Sequence, residues 1–461
     1  MLPERNSRLR RALIRLLAAL AVGTAAAAWS PPAHADQAGL VEQDITFSSG
    51  ELTLHGTVIA PDADTQHPAV VMVHGSGRVA RDGYRQEAEA FARAGIVTLI
   101  YDKRPKRSKS DVDFELLADD ALAALRALKA HPGVDPARTG LWGVSEGGWV
   151  APLAAAGSTD VAFVVTVGAP GTAPERQQSW NLDNRLAAAG VSGSLVDTVS
   201  RTTLGLLVGA GLFPEAGYDP APVLARITQP VLALWGDLDR VIPGAESMRV
   251  FQESLDRGGN RAYTLRAVPG ADHTMRRSPD GFQRGEEVSP AYLEQVATWV
   301  NSTGPRTVDV GPPPRQERQS TPVEPGSPAV QLIAVGVLLL VFAGYGLSAF
   351  RRLRSTRPVR RPARVLAATG LLSVLGLFGY LGHLASSGAR SLGPVVLGRP
   401  LPWLALQVLA VAVVAATAVT ATRAWRARAD LTAGHRVRLG LLVAGGVLFV
   451  PWAVHWGLLL P

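Results

Sequence analysis

Two kinds of apolar pattern share this chain. Between residues 36 and 303, short β-branched runs alternate with amphipathic stretches. Strand candidates are 52–59, 69–73, 96–101, 139–144, 162–168, 231–235 and 262–268. Several are continuously apolar, as central strands buried on both faces require. The intervals 84–94 and 113–130 are helix candidates. In the second, Phe114, Leu117, Ala121, Leu125 and Leu128 recur three and four apart, and Asp111 or Asp113 can cap it. This alternation predicts an α/β domain with a mostly parallel sheet, whose sites lie beyond the C-terminal ends of its strands.

The second pattern fills the C-terminal third, 329–461. Four apolar spans, about 329–350, 365–385, 403–422 and 439–460, each reach the ~20 residues that cross a ~30 Å hydrocarbon core. The loop 351–364 carries seven Arg and no acid, 386–402 carries Arg390 and Arg399, and 423–438 carries five Arg against one Asp. The positive-inside rule makes the first and third loops cytoplasmic and places the preceding segment outside. Residues 1–35 agree with this. Five Arg precede an apolar run from Leu16 to Ala28, and Ala33-His34-Ala35 offers small residues for cleavage before Asp36, the pattern of a secretory signal. Residues 304–328, rich in Pro and polar residues, read as an extended linker. His383 and His455 fall within spans two and four and read as neutral groups near span ends.

Charge follows the same division. The chain has 461 residues, a formal net charge of +8 and a pI near 10.1. The region 36–303 holds 24 basic and 33 acidic residues, whereas 329–461 holds fourteen Arg and one Asp. The excess positive charge is thus an orientation signal and does not point to nucleic acid. The absence of cysteine excludes a disulfide framework, a thiolate metal site and a cysteine nucleophile. No metal or other cofactor is expected.

Candidate chemistry gathers at the strand ends. Gly143-Val144-Ser145-Glu146-Gly147-Gly148 follows an apolar run and opens a helical one. A G-x-S-x-G there is a nucleophile elbow, with Gly143 and Gly147 letting the chains pass closely. Asp239 lies just past the 231–235 strand, with Asp237 as the alternative; a carboxylate there can orient an imidazole. His273 follows the 262–268 strand and can act as general base and then acid for Ser145. Val73-His74-Gly75-Ser76-Gly77 follows the 69–73 strand. Its turn can supply one oxyanion donor, the N–H of Ser76, with the N–H of Glu146 as the other. His74 reads as stabilising that turn and not as a second base.

On these residues the chain resembles the α/β-hydrolase superfamily over about 45–303. It is similar there to bacterial esterases and serine aminopeptidases related to dienelactone hydrolase. The matching strings are His74-Gly75-Ser76-Gly77 with Arg81-Asp82-Gly83, the Gly143–Gly148 elbow, and Tyr101-Asp102-Lys103-Arg104. After the last string, Pro105 and Arg107 replace the family's glycines. Lys103, Arg104, Lys106, Arg107 and Lys109 form a basic cluster that reads as a solvated loop. The resemblance implies an α/β-hydrolase fold with a helical cap at about 171–225; Trp180, Leu182, Leu186, Leu206, Leu207 and Phe213 there give enough apolar surface to line an acyl pocket, though packing onto the core is the plainer explanation.

The expected protein is a serine hydrolase of the cell membrane, multi-pass, with its catalytic domain on the extracytoplasmic side. It would act on a small-molecule ester and use the lipid bilayer as its support. Two other readings stand beside it: a serine peptidase or aminopeptidase on small peptides, and a membrane transporter or sensor with a hydrolase-like binding ectodomain.

Overall fold

The structure, a computed structural model, describes residues 39–77, 80–105, 113–213, 215–350 and 357–461. The expected leader 1–35, residues Lys106, Arg107 and Lys109 of the basic cluster, and Arg351, Arg352 and Arg354 lie outside the described residues.

The described residues separate into two compact units, one of 39–181 with 215–322 and one of 182–213 with 323–350 and 357–461. The first is built on a sheet of β1 (Leu40–Ser49), β2 (Leu52–Pro61), β3 (His67–Val73), β4 (Val97–Tyr101), β5 (Val134–Val144), β6 (Val164–Val167), β7 (Val231–Gly236), β8 (Tyr263–Val268) and β9 (Asp309–Val310). Their order is β1-β2-β4-β3-β5-β6-β7-β8-β9. The β1/β2 and β2/β4 pairs are antiparallel and the rest are parallel. All seven expected strands are present. β4, β6 and β7 are buried at every residue, which is why their sequences carry no alternation.

Helices cover both faces. On one, Phe114–Lys129 and Gly147–Ala156 pack Leu117, Leu125 and Val150 onto Val71, Leu99 and Leu141. On the other, Arg85–Arg93 and Pro290–Asn301 pack Phe91, Tyr292 and Val296 onto Val70, Ile100 and Val165. Each such buried side chain contributes roughly 1.5–3 kcal/mol. Asp113 caps the helix that starts at Phe114, accepting from Glu115 N at 2.8 Å; Asp111, the other candidate cap, lies outside the described residues.

From β3 the chain turns to β4 on one side of the sheet and later to β5 on the other. The C-terminal ends of β3 and β5 therefore flank the point where the connections diverge. Open α/β sheets form their crevice there.

Segment 304–322 is not a free spacer. It adds β9 to the sheet beside β8. The Arg306 guanidinium sits 3.5 Å from the Trp299 ring centre. The buried Glu246 carboxylate accepts from Ser320 N, Ser320 Oγ and Gln316 Nε2 and pairs with Arg176 at 3.0 Å. Polar composition alone reads as linker, because the carboxylate that recruits this segment lies about 70 residues upstream.

The second unit contains four long apolar helices, Pro328–Phe350, Arg357–Ser386, Leu401–Arg426 and Ala433–His455. All four are long and apolar enough to cross a membrane. Successive helices pack on one another and the last returns to the first. Close approach needs small residues: a Cβ on Gly370 would press on Phe342, and one on Gly445 or Gly446 on Val341 or Thr417. His383 and His455 both sit in the last turn of their helices, with His383 Nε2 3.0 Å from Ser391 O.

The interval expected to form a cap is divided between the units. Residues 182–213 belong to the helical one, where Leu186, Val191, Leu195 and Leu206 share a core with Phe342, Trp403 and Trp456. Ser194 N donates to Pro461 O at 2.9 Å, and Gly326 N to Gly205 O at 2.8 Å. Trp180 stays with the sheet unit, its Nε1 donating to Arg318 O at 3.3 Å.

Candidate active site

Ser145 is the first residue past β5 and has φ of +56°, a left-handed conformation that a non-glycine residue holds at a cost of about 1–3 kcal/mol. Its surroundings enforce it. Ser145 N donates to Val167 O at 2.9 Å, tying the turn to the end of β6. A Cβ on Gly143 would overlap Gly147 O, and one on Gly147 would press on Val73 O and His74 O. The helix Gly147–Ala156 starts immediately, so Ser145 stands at its N-terminal, electropositive end.

Asp239 follows β7 and is almost fully buried. Its Oδ1 accepts from Val241 N at 2.8 Å and Ile242 N at 2.9 Å, which fixes the carboxylate plane. Its Oδ2 lies 2.8 Å from His273 Nδ1. Asp237, the alternative, instead accepts from Arg315 N at 3.2 Å and pairs with the Arg315 side chain. His273 follows β8 on a turn held by Asp272, whose Oδ1 accepts from Thr274 N, Thr274 Oγ1 and Arg276 N. A Cβ on Gly168, the residue after β6, would lie 2.9 Å from His273 Nδ1. The imidazole thus rests over the end of β6, the strand end to which Ser145 N is bonded. Burial alone would push the His273 pKa down; the Asp239 charge and hydrogen bond, with Asp272, outweigh it and raise it above 6.5.

The turn after β3 lies against the elbow. A Cβ on Gly75 would sit 3.5 Å from Ser145 Cβ. Gly75 N donates to Tyr84 Oη at 3.0 Å, so it is not free to meet an oxyanion. Among the described residues, Ser76 N–H and Glu146 N–H have no such partner. Gly77, with φ of +94°, turns the chain away from the strand. His74 is buried against the edges of Tyr101 and Tyr84, with ring centres at 4.6 and 5.8 Å. Burial, and then the Lys103 charge, push its pKa down to about 3, so it stays neutral and packs as an aromatic ring.

The basic cluster departs from a solvated loop where it is described. Arg104 makes two hydrogen bonds to the buried Asp120 carboxylate. Lys103 is buried, donates from Nζ to Gly75 O at 2.7 Å, and pairs with the Glu146 carboxylate. The sequence carries no sign of these pairings. Tyr84, Gly168 and Asp272 likewise have no motif that marks them.

Known proteins similar to this chain are hydrolases by description. A family model described as BAAT / Acyl-CoA thioester hydrolase C terminal matches residues 122–279. The chain is 25% identical over 300 residues to Esterase EstD of Thermotoga maritima, covering 58% of this chain and 69% of that one. It is 34% identical over 121 residues to Thiohydrolase aneE of Aspergillus aculeatus, covering 25% of this chain and only 37% of that one. A dienelactone hydrolase of Anabaena variabilis aligns in three dimensions over 57% of this chain and 95% of its own, with 22% identity and a TM-score of 0.36. The sheet unit has a mostly parallel sheet covered by helices on both faces, the architecture that the resemblance to α/β-hydrolases implies.

Proposed function

We propose that this chain is a membrane-tethered serine hydrolase that cleaves carboxylic esters through an acyl-enzyme. Ser145 Oγ attacks the carbonyl carbon while His273 Nε2 takes its proton, and Asp239 stabilises the imidazolium. The tetrahedral oxyanion accepts from the N–H groups of Ser76 and Glu146. On collapse, His273 protonates the leaving alcohol. Water then enters, gives its proton to His273, and releases the acid and Ser145. The observation that carries this reading is the pair of adjacent strand ends: a strained Ser145 bonded to the end of β6, and an Asp239-bound His273 over that same end.

The domain works on the extracytoplasmic side in this reading. Support comes from the arginine asymmetry of the loops and from the leader pattern of 1–35. Thioesters are the second reading, favoured by the description of the matching family model. The same attack, oxyanion and acid–base steps apply, with a thiolate as the better leaving group.

The test uses membranes from cells producing the full chain. Expected are labelling by a fluorophosphonate in the wild type and none in Ser145→Ala. p-Nitrophenyl esters of graded acyl length should turn over. Faster turnover of acyl thioesters would move the assignment to thioesterase. Cleavage of aminoacyl anilides without ester turnover would move it to peptidase. An unlabelled wild type would leave a binding ectodomain, the transporter or sensor reading.

A further inference from the structure

Lys103 touches both halves of the candidate oxyanion hole. Its side chain is 4% exposed and that of Glu146 is 8% exposed, so the pair is removed from water. The Nζ group reaches two places: the Glu146 carboxylate, on the residue whose N–H is one oxyanion donor, and Gly75 O at 2.7 Å. Gly75 C=O and Ser76 N–H belong to one peptide unit, and that peptide is trans. In a planar trans peptide the C=O and N–H point in opposite directions. Holding the oxygen on Nζ therefore aims the Ser76 N–H away from Lys103, and a cation on the oxygen polarises that N–H as a donor. Tyr84 Oη holds the next N–H back along the turn, that of Gly75, at 3.0 Å. The turn is thus pinned on both sides of Gly75.

We infer that Lys103 is a positioning residue for transition-state stabilisation: it sets the Gly75–Ser76 peptide against the nucleophile elbow and increases the donor strength of Ser76 N–H. This rests on the serine-hydrolase reading above. Ground-state binding of the substrate would not need it, because a neutral carbonyl oxygen gains far less from a polarised donor than an oxyanion does.

The experiment compares full-length wild type, Lys103→Met and Lys103→Met/Glu146→Gln in detergent, with a p-nitrophenyl ester and a fluorophosphonate probe. The double variant removes both charges and keeps the volumes, so no unpaired carboxylate is left buried. Expected for both variants is a kcat about 10- to 100-fold lower, less than the loss of an entire donor causes. KM should stay within about twofold, the acid limb set by His273 should not move, and the fluorophosphonate labelling rate should fall in parallel with kcat. Wild-type kcat and labelling rate in a folded Lys103→Met would overturn the inference. So would recovery of wild-type kcat in the double variant, since the defect would then stem from the stranded Glu146 carboxylate. An increase in KM with unchanged kcat would also overturn it. A wild type that does not label at all would instead overturn the serine-hydrolase reading.

Discussion

The sheet unit and the helical unit use the same apolar residues to opposite ends. In the first, Val70, Leu99, Val165 and Leu232 are buried on both faces of a sheet, and large apolar side chains at the surface are scattered singly. In the second, Leu340 is 75% exposed, Leu347 70% and Val408 69%, and these recur along every long helix. Helices of this length whose outward faces are apolar are suited to hydrocarbon as a solvent, since each satisfies its own backbone hydrogen bonds. Charge differs in parallel. In the sheet unit, Asp120, Asp239, Glu146 and Glu246 are buried and each has a partner at a strand or helix end. In the helical unit the cations gather at helix ends and in loops. Chemistry is built where buried charge can be organised, and that is the sheet.

The largest expected effect breaks such a buried pair at the site. Asp239→Asn should lower kcat by about 10⁴-fold, as the imidazole loses the acceptor that sets its tautomer. It should also move the pH profile. In the proposed mechanism the base is neutral imidazole, and Asp239 raises the His273 pKa above 6.5, so wild-type activity should fall as pH drops through a midpoint above that value. Without the carboxylate, burial dominates and the midpoint moves down. A kcat/KM profile from pH 5 to 9 checks both, and an unchanged midpoint would contradict the assignment.

Next, one kind of substitution can be made in both units. Leu340→Arg places a charge on the outward face mid-helix, at a cost of about 3–4 kcal/mol on insertion scales. Carbonate extraction should then release a larger share of the chain from membranes. Val41→Arg, at a position 49% exposed on the edge strand β1, should change folding stability, read from thermal unfolding, by less than about 0.5 kcal/mol. Equal effects at the two positions would erase the contrast between the units. A third comparison tests a buried pair away from the reacting atoms. Arg104→Met strands the Asp120 carboxylate, which is 1% exposed, while the Arg104 side chain is 20% exposed. About 2–3 kcal/mol of stability should be lost, less than a fully buried pair would give, with kcat of the folded enzyme retained.

Most of the sheet is legible in the sequence, because β3, β4, β6 and β7 are almost wholly apolar and the turns after β5, β7 and β8 carry Ser145, Asp239 and His273. β1 is not, since LVEQDITFSS exposes most of its residues on an edge. β9 is two exposed residues that only pairing with β8 defines. The sequence favours Asp239 and leaves Asp237 as the alternative; in the structure Asp239 lies 2.8 Å from His273 while Asp237 engages Arg315, 78 residues on. Lys103 and Arg104 look like solvent-facing cations because their carboxylates lie 43 and 16 residues away. Residues 182–213 look like a lid for the same reason. Their apolar face is plain in the sequence, and the helices it packs on begin more than a hundred residues later.

In the proposed mechanism Ser145 is the nucleophile of this domain. Membranes bearing the full chain would be treated with a fluorophosphonate, digested, and the elbow peptide sequenced by mass spectrometry. One phosphonyl adduct is expected, on Ser145, formed more slowly in Asp239→Asn and absent in Ser145→Ala. An adduct on another residue, or an unmodified Ser145 in a chain that still hydrolyses esters, would contradict it.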